Sequence, residues 1–246
     1  RRALDPEQEV ALRVTLCLAK AIEFNREAGH ELAKRLHQRE ETLVKRGMAD
    51  VLTRMFRRLE WDAVPFLNDM LEDPDEGVLA AASSTVGDLR FLDAELWVDT
   101  MLKLAQHPLP VVRRNLVPFL RYYIEQFPGD NRGLLPTLWQ DGDEVVRTRM
   151  RELLMRLEEI SPEHFAARLQ DFREQGCSLQ PLWDSLTHRR PERSILWKAW
   201  FDGKGEQPTL PEWQPALYSD MDDSGALPSV EDARSLLDQD SHLNED

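Results

Sequence analysis

Six histidines, two cysteines and many arginines are the residues of this chain whose chemistry could matter most. His30 and His37 lie two turns apart on one helix face. Metal ligands on a helix want i, i+3 or i+4 spacing and a third ligand nearby, so this pair is a poor metal site. The stretch His30-Glu31-Leu32-Ala33-Lys34 lacks the second histidine of a zinc-protease helix. Cys17 and Cys177 are far apart and in no metal or redox spacing, which fits a reducing cytoplasm. There is no nucleophile elbow, phosphate loop or Gly-rich dinucleotide fingerprint. Gly203-Lys204-Gly205 reads as a connector. The expectation is no catalytic residue, no metal and no cofactor.

Tryptophans and arginines are the remaining candidates. Trp183, Trp197 and Trp200 fit the interior of a helical cap, because large aromatics dominate burial. Trp213, in Pro211-Glu212-Trp213-Gln214-Pro215, is expected to be an exposed docking anchor. The arginines fall into a periodic frame, and that frame must be set out before they can be placed.

Apolar residues recur every 34 positions. Leu67, Met101 and Leu135 align, as do Met70, Leu104 and Leu138; Val78, Val112 and Val146; and Val86, Leu120 and Leu154. Between the two apolar runs of each unit lies a polar turn, such as Asp73-Pro74-Asp75-Glu76-Gly77 or Asp141-Gly142-Asp143-Glu144. Within each run the apolar spacing is helical. A fixed period of this length marks stacked helix pairs. The predicted fold is therefore all-α, an α-solenoid of antiparallel helix pairs.

Residues 1–25 form a half unit, a second-helix equivalent, and one amphipathic helix is expected over 5–28. Full units follow at 26–59, 60–93, 94–127 and 128–161. The period fails beyond Ser161, where Met150 would map to Asp184 and Leu154 to His188, so 162–202 read as a divergent helical cap. Pro118 should bend the third unit's second helix. Residues 203–246 read as a largely extended acidic tail, with one short helix capped by Ser229. From Glu206 on, eleven acidic residues face one base, Arg234, for a net charge of −10. The whole chain carries −14, so the remainder is close to neutral. No run of apolar residues is long enough to cross a membrane, and no apolar signal-peptide core follows Arg1.

The turn aspartates with the openings Val112-Arg113 and Val146-Arg147 resemble the HEAT-repeat family over residues 26–161. Val44-Lys45 and Val78-Leu79 depart from that pattern. The tetratricopeptide pattern is absent: Trp97 is followed by Val98-Asp99-Thr100-Met101, without Leu-Gly. The resemblance implies that Arg113 and Arg147 pair with turn aspartates of neighbouring units.

It also implies a non-enzymatic scaffold or adaptor that binds another protein. The alternative is a DNA-binding enzyme resembling the HEAT-like alkylpurine DNA glycosylases; a weaker resemblance, to the HEAT-like bilin lyases, rests on no particular residue. In the 34-residue register the residues opposite the core ladder are Arg46, Asp50, Thr53 and Arg57, then Ala80, Ser84, Gly87 and Phe91, then Arg114, Pro118, Arg121 and Glu125. The expected binding groove has a floor of Ala80, Ser84 and Gly87 and walls of Arg46, Arg57, Arg114 and Arg121. Its expected occupant is an acidic or extended protein segment, either a partner's or the chain's own tail. Close helix packing is the competing explanation for the small residues.

Overall fold

The computed structural model describes residues 6–129 and 132–209, and every regular element among them is helical. The chain divides into two units, 1–208 and 209–246. The second lies almost wholly outside the described residues, and with it Trp213 and the helix expected after Ser229.

Helix α1 (Pro6–Phe24) is followed by α2 (Arg26–His37). The sequence suggested one helix to residue 28. Instead it ends before Asn25, whose side chain accepts from the Ala28 amide at 2.9 Å and starts a new helix. Pairs then alternate along the chain. Helices α3 (Thr42–Ala49) and α4 (Leu52–Leu59) precede a 3₁₀ turn and α5 (Val64–Met70); α6 (Glu76–Ser83) leads into a 3₁₀ segment, Val86–Phe91. Then come α7 (Ala94–Ala105), α8 (Pro110–Leu116), a 3₁₀ turn at Val117–Phe119 and α9 (Leu120–Gln126). The last helices are α10 (Leu134–Trp139), α11 (Glu144–Ile160), α12 (Pro162–Glu174), α13 (Gln180–Arg189) and α14 (Pro191–Phe201).

Helices α3, α6, α8 and α11 begin at residues 42, 76, 110 and 144, at even intervals. They pack in a row, α1 on α3, α3 on α6, α6 on α8 and α8 on α11. Each also packs on the helix before it in its own pair: α2 on α3, α5 on α6, α7 on α8 and α10 on α11. Every periodic apolar residue named above is buried. These side chains belong to one continuous core cluster.

The second helices of the first three units break at a shared register. The breaks fall at Asp50-Val51, at Ser84-Thr85 and around Pro118. Asp, Ser and Pro all disfavour a helix interior, each by its own mechanism. Partial desolvation by its neighbours pushes the carboxyl of exposed Asp50 up. Ser83, Ser84 and Thr85 turn their hydroxyls back onto the carbonyls of Ala80, Ala81 and Ala82. Pro118 lacks an amide hydrogen, so the chain tightens into a 3₁₀ turn. The equivalent residue in the fourth unit is Glu152, a good helix former, and α11 runs unbroken for 17 residues.

The terminal helices pack around aromatics. Phe165 and Trp197 meet edge to face at 4.8 Å, and Trp183 meets Phe201 at 5.6 Å. Trp197 also contacts Trp200 at 5.5 Å. Glu158 of α11 is fully buried. Its carboxylate accepts from Arg190 at 2.8 Å, from Arg193 and from the Trp197 indole N–H at 2.8 Å. Three charge-assisted bonds tie the last helices to α11.

Candidate functional site

Two arginine arrangements occupy different places on the row of second helices. The first is a clasp between successive units. Lys45 and Arg46 reach the following turn, where they meet Asp73 at 2.7 Å and Asp75 at 2.8 Å. Arg113 and Arg114 repeat the contact, each with two bonds, to Asp141 and Asp143. The outer aspartates do double duty as N-caps: Asp75 accepts from the Val78 amide and Asp143 from the Val146 amide. The inner ones brace the turn, Asp73 accepting from the Asp75 amide and Asp141 from the Asp143 amide.

Hydrogen bonding from Arg46 holds the Asp75 carboxyl below the usual range, and Arg114 does the same for Asp143. For Asp141 burial pushes the other way, but the Arg113 fork and the Asp143 amide outweigh it. Of the two arginines expected to reach a neighbouring turn, Arg113 does so. Arg147 instead binds its own turn, donating to the Asp141 carbonyl at 2.5 Å and to Glu144.

Between these two clasps the motif is absent on both sides at once. The positions of Lys45 and Arg46 are taken by Leu79 and Ala80, and those of Asp73 and Asp75 by His107 and Leu109. Asn115 bridges this joint, donating to the Ala80 carbonyl at 2.8 Å and to the Ser83 hydroxyl at 2.9 Å. His107 keeps the aspartate's local job, accepting from the Leu109 amide through Nδ1 at 3.2 Å. Burial, with Arg113 nearby, lowers its pKa and favours the neutral ring that can accept this bond.

The second arrangement lies at the other end of that joint. Arg90 sits between two rings, 4.1 Å from the Phe91 centroid and 4.2 Å from that of Tyr122. Its Nη1 also donates to the Gly87 carbonyl at 2.9 Å. Arg121 lies 5.2 Å from the Tyr122 centroid and 3.2 Å from Glu125. The result is a ladder of alternating cations and rings across two units. Burial raises the Asp88 carboxyl, although the Thr53 hydroxyl bonds to it and Arg57 and Arg90 lie close enough to pull it down. Phe91 ends the ladder with 72 % of its surface exposed.

The residues expected to form one groove are therefore divided. Arg46 and Arg114 belong to the clasps. Arg121 belongs to the ladder, and Arg57 stands beside Asp88. Ala80 is half-buried and Ser84 is exposed. Gly87 is buried rather than an open floor: a Cβ there would stand 2.3 Å from the Phe119 ring. Packing against Phe119 accounts for that glycine. Arg90 and Tyr122 were not singled out from sequence, because the 3₁₀ segment rotates Arg90 away from its helical register. The sequence signal for them was the aromatic-rich neighbourhood Arg90-Phe91 and Arg121-Tyr122 in successive units.

Among the described residues no three His, Cys, Asp or Glu side chains form a metal-binding group. His37 pairs with Asp69 at 2.7 Å and His164 with the Ser161 hydroxyl at 2.6 Å. Cys17 is exposed; Cys177 is buried, which pushes its thiol up. Among the described residues no helix is long and apolar enough to cross a membrane. Comparison with protein-family models, with curated proteins and with solved structures finds no match.

Proposed function

We propose that residues 1–161 form a HEAT-like α-solenoid serving as a non-enzymatic scaffold, and that its second-helix face binds an acidic or extended segment of another protein. Support for the solenoid comes from the evenly spaced helix starts, the continuous row of second helices and the repeated Asp-to-Arg clasp. The observation that carries the binding reading is Phe91, a large ring left exposed with Arg90 stacked against it. Exposed aromatics backed by fixed arginines are enriched where proteins bind one another.

The test is site-specific photo-crosslinking. A photoreactive amino acid at exposed Ser84 should yield protein adducts in an extract of the source cells, and the same group at Glu72, in the turn after α5 where it pairs with Lys103 of α7, should not. Equal adduct patterns at both positions would overturn the reading. Retardation of duplex DNA at low salt by micromolar protein would favour the DNA-binding alternative.

A further inference from the structure

The ladder surface carries the inference furthest, and it rests on the scaffold reading above. We propose that Arg57, Arg90, Phe91, Arg121 and Tyr122 form a docking site for a short acidic peptide with one large apolar side chain. The apolar side chain covers Phe91, and flanking carboxylates meet Arg57, Arg90 and Arg121.

Charge complementarity selects this occupant. At the clasps each base has its own carboxylate: Lys45, Arg46, Arg113 and Arg114 against Asp73, Asp75, Asp141 and Asp143. Here Arg57 and Arg90 both act on the one carboxylate of Asp88, and Arg121 meets Glu125. A positive excess therefore remains here, in a chain whose total is −14. Preorganisation adds to it. Arg90 is pinned between two rings and to the Gly87 carbonyl, so little side-chain freedom remains to be lost on binding. The Arg121–Glu125 pair is an exposed i, i+4 contact of the weak kind, readily exchanged for a ligand carboxylate.

Phe91 supplies the apolar contact. The ring is strongly exposed, and covering it removes apolar surface from water. A nucleic acid is a poorer fit. It needs a track of cations along many phosphates, and three arginines beside one exposed ring do not make one.

The test uses the full chain and three labelled probes followed by fluorescence anisotropy. They are a nonamer of glutamates with a central phenylalanine, its glutamine counterpart, and a short oligo-dT. The acidic nonamer should bind with a Kd at or below about 1 mM, the weak end of specific recognition. Phe91→Ser and Arg57→Gln should each weaken it about tenfold, a typical anchor loss. Asp88→Asn, which adds to the positive excess, should tighten it. Circular dichroism and the thermal midpoint confirm folding; Phe91 and Arg57 are exposed, so both variants should keep the parent's values.

Three results overturn the proposal: equal binding of the glutamine probe, binding indifferent to Phe91→Ser and Arg57→Gln, or tighter binding of oligo-dT. Absence of nonamer binding at about 1 mM overturns it as well. If the nonamer fails while Ser84 still crosslinks to protein, the docking site is wrong and the scaffold reading stands. If crosslinking also fails, both fall.

Discussion

Glu158 shows what one buried residue controls. Its carboxylate has no exposed surface and is shared by Arg190, Arg193 and Trp197. Truncating it strands the buried Trp197 N–H and frees two partly exposed arginines, at a cost of about 1–3 kcal/mol. Glu158→Ala should lower the urea midpoint accordingly and shift tryptophan emission as Trp197 loses its partner. Gly87 is the second case. Gly87→Ala places a methyl against the Phe119 ring, and overpacking of this kind costs about 1–3 kcal/mol. Phe119→Leu in the same chain should recover part of the loss, read as a coupling energy from a double-mutant cycle. An additive result would mean that the two residues do not touch.

At the scale of elements, each clasp joins one second helix to the turn that opens the next, α3 to the turn before α6 and α8 to the turn before α11. Asp75 and Asp143 have carboxyls held low by arginine, so they contribute stability above the unfolded-state pKa. That contribution falls as pH drops through the folded-state value. The parent should therefore lose stability on acidification below about pH 4, and an Asp75→Asn, Asp143→Asn variant should lose less over the same range. The joint between α6 and α8 lacks this clasp altogether. Installing it with Ala80→Arg and Leu109→Asp should show favourable coupling between the two changes, of about 0.2–1 kcal/mol for an exposed pair. Leu109→Asp alone supplies a missing N-cap to α8 but removes a partly buried leucine. Amide exchange at Val112 and Arg113 checks both: the double variant should protect them more than Leu109→Asp does.

For residues 1–208 as a whole, the row of second helices has an end that must be covered. Helix α11 packs against α12 and α13, and Leu154, Leu157 and Glu158 are buried there. A chain ending at Ser161 would present those side chains to water, Glu158 without Arg190 and Arg193. We expect aggregation in size-exclusion chromatography and binding of a hydrophobic dye. A monomeric, dye-silent fragment would show that the last helices are dispensable.

The sequence by itself determined the helical class, the even spacing of helix starts and the identity of the core. Period and apolarity are local properties, and Leu67, Met101 and Leu135 are buried as the pattern requires. It also foretold the disturbance at Pro118, because proline's missing N–H acts wherever it sits in a helix. It could not foretell that Asp50 and Ser84 would mark breaks at the same register, since both are tolerated in many helices. Tertiary structure alone decided the fate of the arginines. Arg46 and Arg114 are equivalent in the register and both meet aspartates of the next turn, but Arg57 and Arg121, at other positions on the same face, go elsewhere: Arg57 acts on Asp88 and Arg121 joins the ladder. A long cationic side chain spans several ångströms and settles on whichever carboxylate or ring the neighbouring unit offers. Its destination depends on residues about 30 positions away, and no local pattern encodes that choice.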